Sequence, residues 1–203
     1  MSEFRYDPVR TVNVGIVAGL ATCIVYPALI VGRPPETVAV VLAAGMGPLL
    51  AIASWDLRQF LDLNRPRLTA DLGAMFNALA GVLLTAMLLV QLAIGIRTAD
   101  QPTREAEAVW LGLDVAWDVY IGLGTLFFAL NALTHPRLGR VVGSLGILIA
   151  LGLLAFNLVT FPTPPANAGL IDLGPLIGGW YLLVTVLIIR SRTWVRQAAG
   201  HEN

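Results

Sequence analysis

The 203-residue chain contains no lysine: all 13 of its basic residues are arginine. A Schiff base with retinal or pyridoxal is therefore excluded, and so is a phosphate-binding loop built on Gly-Lys-Ser/Thr. Cysteine is almost as scarce. The single Cys23 excludes an internal disulfide, a thiolate metal cluster and a CxxC redox pair. His135 has no partner His or Cys near it in the sequence, which excludes a zinc site and bis-histidine haem ligation. No cofactor is expected. Charge is sparse as well, with 13% of residues charged, against roughly 25% in soluble domains. A nucleic-acid binder, a disordered chain and a water-soluble enzyme are excluded on that ground.

What the chain has instead is hydrocarbon. Hydrophobic residues make up 57% of it and the mean hydropathy is +0.76. A membrane-spanning helix needs about 20 mainly apolar residues. Runs near that length occupy 11–32, 37–55, 72–96, 106–133, 141–161 and 173–190. The expectation is an all-α membrane protein, a single six-transmembrane-helix bundle over residues 1–203. The first run is too long for the apolar core of a secretory signal and reads as a retained anchor. Pro27 and Pro48 should kink spans one and two, while Pro175 falls in the first turn of span six, where its missing N–H does no harm. Asp56 to Asn64 reads as a brief interfacial helix with Trp55 and Phe60 at headgroup level. Phe161 to Pro165 (FPTPP) reads as a stiff polyproline turn.

Arginine sets the direction, because loops rich in it stay in the cytoplasm. Arg5, Arg10, Arg58, Arg65, Arg67, Arg137, Arg140, Arg190, Arg192 and Arg196 fall on one side, ten against Arg33, Arg97 and Arg104 on the other. Both termini are then cytoplasmic, and the expected location is a bacterial inner membrane, crossed several times.

Polar residues within a bilayer are costly and are functional candidates by default. Span four carries Asp114 and Asp118, four apart and so on one helical face. Gly122, Thr125 and Ala129 continue that face as a small-residue stripe suited to close helix contact. Gln91 on span three and Asn157 on span five fall at a matching depth under the outer surface. Trp110, Trp117, Tyr120, Trp180 and Tyr181 are candidate walls. Carboxylates beside aromatic faces suit a cation, so these nine residues form a candidate ligand-binding site. Read structurally, the same carboxylates hydrogen-bond across helices and the aromatics are an interfacial belt. Asp172, at the start of span six, reads as a helix cap, and Asn77 and Gln91 as interhelical hydrogen-bonders. His135-Pro136-Arg137 reads as a helix-ending turn, and Cys23 as packing.

The Asp114-x-x-x-Asp118 spacing resembles the carboxylates of the CDP-alcohol phosphotransferases, which are also six-helix proteins. That family needs an Asp-Gly-x-x-Ala-Arg element just upstream, and here the stretch Thr98 to Arg104 reads Thr-Ala-Asp-Gln-Pro-Thr-Arg. Its site also faces the cytoplasm, whereas this pair should lie under the outer face. As a whole, the chain resembles uncharacterised bacterial six-transmembrane-helix membrane proteins. The resemblance rests on six spans, a C-terminal tail and the Pro-Arg-Leu-Gly turn at Pro136 to Gly139. It implies a fold and a compartment but neither substrate nor catalytic residue.

The functional expectation is therefore binding, with transport as its extension, of a small polar or cationic solute at an outward-facing acidic and aromatic site on span four. The alternative is an accessory or structural membrane subunit packed against a partner complex, and a third reading is an intramembrane metal-dependent transferase. No catalytic residue or metal ligand is assigned, and the residues argue against an enzyme. The expected partners are the lipid bilayer, such a ligand, and a second copy or another membrane protein, with no nucleic acid. The ten-to-three arginine count makes a first prediction. A C-terminal green fluorescent protein fusion should fluoresce, and a C-terminal alkaline phosphatase fusion should be inactive. An active phosphatase fusion would reverse the topology.

Overall fold

A computed structural model describes residues 8–98, 103–159 and 171–200. The FPTPP segment and Arg5 lie outside the described residues. Within these limits the chain is all helical, with seven helices and no strand. They are α1 (Pro8–Ile30), α2 (Glu36–Asp62), α3 (Leu68–Thr98), α4 (Arg104–Ala132), α5 (Gly139–Leu158), α6 (Gly174–Arg190) and α7 (Arg192–Gly200). The first five are long and apolar enough to cross a membrane. At 17 residues α6 is shorter, and α7 continues it after a 62° bend, so the number of crossings is five or six. In the five long helices the most apolar stretch is only 22–44% buried by the protein itself. The remaining apolar faces, such as Val141, Leu148 and Val17, look outward, which suits a lipid environment and not water.

Local chemistry accounts for the helix ends. Thr103 caps α4 by accepting the Ala106 N–H at 3.3 Å, and Glu105 and Glu107 fill the first turn, where the helix dipole favours acids. Pro175 opens α6 as expected. Gly139 starts α5 at φ +77°, a conformation open to glycine at no steric cost. Helices α1 and α2 each contain their proline and run on through it. The sequence reading ended span two at Trp55, but α2 continues unbroken to Asp62. Phe60 accordingly is fully buried in the core, not held at headgroup level, whereas Trp55 is exposed under the Arg58 guanidinium.

Helices consecutive in sequence pack as antiparallel neighbours, and α6 returns to α1, so α1 to α6 close into a ring. One end of the ring carries the α2–α3, α4–α5 and α6–α7 turns and most of the arginines. The other carries the α1–α2 turn, the start of α4 and Asp172. The α2–α3 crossing is the tightest: a Cβ on Gly47 would stand 2.5 Å from the Gly81 carbonyl oxygen. Two glycines facing each other let the backbones approach as no larger pair would.

The middle of the ring is held by polar side chains. Asn77 on α3 donates to the Ser54 hydroxyl on α2 at 3.0 Å and to the Tyr181 hydroxyl on α6 at 2.6 Å. Tyr181 also shares a 3.0 Å hydrogen bond with Thr125 on α4. Four helices thus meet in one clasp, and Asn77 is the interhelical hydrogen-bonder that its position in an apolar run suggested. At the arginine-rich end, His135 is buried 4.8 Å from the Phe60 ring and 5.2 Å from the Trp194 ring of α7. Its Nδ1 accepts the Arg137 N–H at 3.2 Å. Burial foremost, opposed by the Phe60 backbone and reinforced by the Arg137 charge, holds its pKa down at about 4.

Two predictions follow from these contacts. Asn77→Ala and Tyr181→Phe should couple in a double-mutant cycle by about 1 kcal/mol, the scale of interhelical hydrogen bonds in membranes. Additive losses would show the clasp to be incidental. For His135, the unfolded chain takes up a proton near pH 6.5 and the folded one near 4, so stability is full above pH 6.5 and falls as pH drops toward 4. The loss is of order 3 kcal/mol. His135→Asn keeps an acceptor for Arg137 and removes the titration. The thermal unfolding midpoint should fall between pH 6.5 and 4 more steeply in the wild type than in the variant. Parallel profiles would exclude His135 as the cause.

Candidate functional site

The nine candidate residues do not form one site. Two facts about helix geometry divide them: the start point of α6 and the face of α4. Asp114, Trp117 and Asp118 sit on the half of α4 away from the arginine-rich end. Asp118 is 2% exposed, and the side-chain amide of Asn157 on α5 hydrogen-bonds its carboxyl group. Asn157 also donates to the Leu153 carbonyl at 3.0 Å. The carboxyl oxygen Oδ1 of Asp118 has no hydrogen-bond partner among the described residues. Asp114, half-buried one turn nearer the end of the ring, lies within electrostatic reach of Asp118 and of Asp172. Tyr26 on α1 lies within electrostatic reach of all three carboxylates. Asp172 is exposed and accepts the Gly174 N–H at 2.9 Å, so it caps α6 as its position suggested.

The aromatic residues disperse. Trp117 packs with Tyr26, Leu113 and Met46, and its buried Nε1 has no acceptor among the described residues. Tyr120 turns toward Phe76 on α3, ring centroids 5.9 Å apart. Trp110 is half-buried near the start of α4. Gln91 is half-buried near the same end of α3 and makes no hydrogen bond among the described residues. Trp180 and Tyr181 sit deeper, two turns or about 10 Å along α6 from its first residue. The Trp180 indole donates to the Val142 carbonyl at 2.9 Å, one turn into α5 from its arginine-rich end. Tyr181 belongs to the central clasp and lines the same cavity as Tyr26 and Trp117. No family model, no curated protein and no solved structure matches the chain.

The arrangement is therefore Asp114, Asp118, Asp172, Tyr26, Trp117 and Asn157. Among the described residues, no three His, Cys, Asp or Glu side chains converge as a metal site. No arginine is among the groups acting on Asp114 or Asp118. Two carboxylates one helical turn apart, with a third nearby and no internal cation, repel one another unless a cation or a proton intervenes.

A cavity of about 430 Å³ adjoins this cluster, lined by α1, α2 and α6 with Trp117 and Ile121 of α4 at its floor. It extends along α1 from Val12 to Pro27. Sequence reasoning missed its lining residue Asp56, which is 6% exposed and packs its carboxyl group directly on the Gly15 backbone. The glycine opposite is the only signal: a side chain on α1 at that level would collide with Asp56. A search confined to uncharged runs ends span two one residue before this aspartate.

Proposed function

We propose that this multi-pass protein sits with its arginine-rich end in the cytoplasm of a bacterial cell and binds a small organic cation at Asp114 and Asp118. Asp118 carries the reading. It is 2% exposed, hydrogen-bonded on one side only, and surrounded by two further carboxylates with no arginine acting on it. Isolated buried charge is among the costliest features of a protein interior. A helix bundle held together by hydrogen bonds gains nothing from a second and third carboxylate. An ammonium or guanidinium ion would supply the missing donor and the missing charge together, and the Trp117 and Tyr26 rings offer it π faces. Asp172, exposed at the rim, would draw cations toward the mouth.

The test is thermal unfolding of the purified protein with ethylammonium, tetramethylammonium and guanidinium at constant ionic strength. A ligand at 100 times its Kd stabilises by about 2.7 kcal/mol, which is several degrees in Tm. The nearly isosteric Asp118→Asn should abolish the response and Asp114→Asn should weaken it. If none of the three cations stabilises the wild type above the Asp118→Asn variant, the carboxylates are structural, and an accessory subunit becomes the better description.

A further inference from the structure

The cavity beside the acidic cluster has the wrong chemistry for a small polar solute alone. Its hydroxyl groups are turned back on the protein: Thr22 bonds the Ala18 carbonyl, Thr185 bonds the Tyr181 carbonyl, and Ser54 takes the Asn77 amide. Asp56 closes its carboxyl group against Gly15, where Oδ2 has no hydrogen-bond partner among the described residues. Apart from Asp56 and the Tyr26, Trp117 and Tyr181 side chains, the lining is hydrocarbon. Void in an apolar interior forfeits the dispersion contacts of every atom around it, so a cavity of this size in a bilayer is a place for something apolar.

Length, lining and charge point to the occupant. Along α1 the lining runs from Val12 to Pro27, fifteen helical rises or about 22 Å, long and narrow enough to match one extended alkyl chain lying beside the helix. Entry from the bilayer is open along α6, where Gly178 and Gly179 line the cavity, are exposed, and have nothing within 4 Å of where a Cβ would stand. The mouth is acidic. A Cβ on Gly174, which lines the cavity, would stand 3.0 Å from the Asp172 carboxylate and 3.8 Å from the Trp117 ring.

We infer that the ligand is an amphiphilic ammonium ion, with its charged head at Asp114, Asp118 and Asp172 and its single alkyl chain in the groove between α1 and α6. This deepens the organic-cation reading and rests on it. The head satisfies the carboxylates at the mouth, and the tail fills the hydrocarbon channel that leads away from them.

The test uses the full-length protein in phosphatidylcholine nanodiscs with dodecylammonium bearing a diazirine at the end of its chain. After irradiation, mass spectrometry locates the attached label, and ethylammonium binding is measured in parallel by thermal shift. Label is expected on groove residues such as Cys23, Leu50 and Leu57, at least fivefold above the lipid-facing Val141 and Leu148. Gly178→Leu projects into open space, so the fold should tolerate it. It should cut groove labelling at least fivefold while changing the ethylammonium affinity less than twofold. Label distributed equally over groove and lipid-facing residues, or groove label indifferent to Gly178→Leu, would overturn the tail placement while ethylammonium binding kept the head site intact. Failure of ethylammonium to stabilise the wild type would sink the head site, and this inference with it.

Discussion

Water is absent from the middle of a bilayer, and most of this structure follows from that. A polar side chain there finds a partner within the protein or remains unpaired, at a cost of a kilocalorie or more. The Asn77 NH2 group meets this constraint by donating to both Ser54 and Tyr181, and Tyr181 passes the connection on to Thr125, while the Asn77 Oδ1 has no hydrogen-bond partner among the described residues. Helix α6 has the shortest span and bends away at Arg190, so these bonds and the Trp180–Val142 bond fix its rotation. With α6 fixed, the ring closes against α1, and the cavity between them acquires its width.

The same constraint makes the exceptions informative. Among the described residues, Asp118, Trp117 and Asp56 each bury a polar atom without a hydrogen-bond partner, as do Asp62, Asn77, His135 and Asn157. Of these, Trp117 and Asp56 line the cavity, and Asp118 follows Trp117 on α4. Asp62 and His135 lie instead at the arginine-rich end. The small residues have a matching division of labour. Gly47 and Gly81 bring backbones into contact, whereas Gly178 and Gly179 face open space. The first pair tightens the ring, and the second leaves its seam passable.

Much of the fold was legible because hydropathy and helix geometry are local. Each apolar run became a helix, and Pro175 and the buried stripe Gly122, Thr125 and Ala129 behaved as their positions required. Legibility failed at Asp56. A charged residue after an apolar run reads as the end of a span, yet here a glycine on the neighbouring helix makes room for it inside. Depth counting joined Asp118 to Asn157 correctly, since antiparallel helices of known direction bring equal depths together. It could not exclude Trp180 and Tyr181, because depth along a helix says nothing about which neighbour a side chain turns toward.

By itself, the sequence determined that the chain is helical, that several helices are apolar enough to span a membrane, and that two carboxylates share one face of α4. Those properties depend only on composition and on periods of a few residues. Only the tertiary structure decided that α6 closes a ring with α1, that Asn77 and not Gln91 anchors the centre, and that a largely apolar cavity between α1 and α6 reaches Gly174, beside Asp172. These depend on helix rotation and on the distance between neighbouring axes, which emerge when all the helices pack at once. A glycine facing another backbone and a glycine facing a void look alike in a sequence, and only the neighbour across the interface tells them apart.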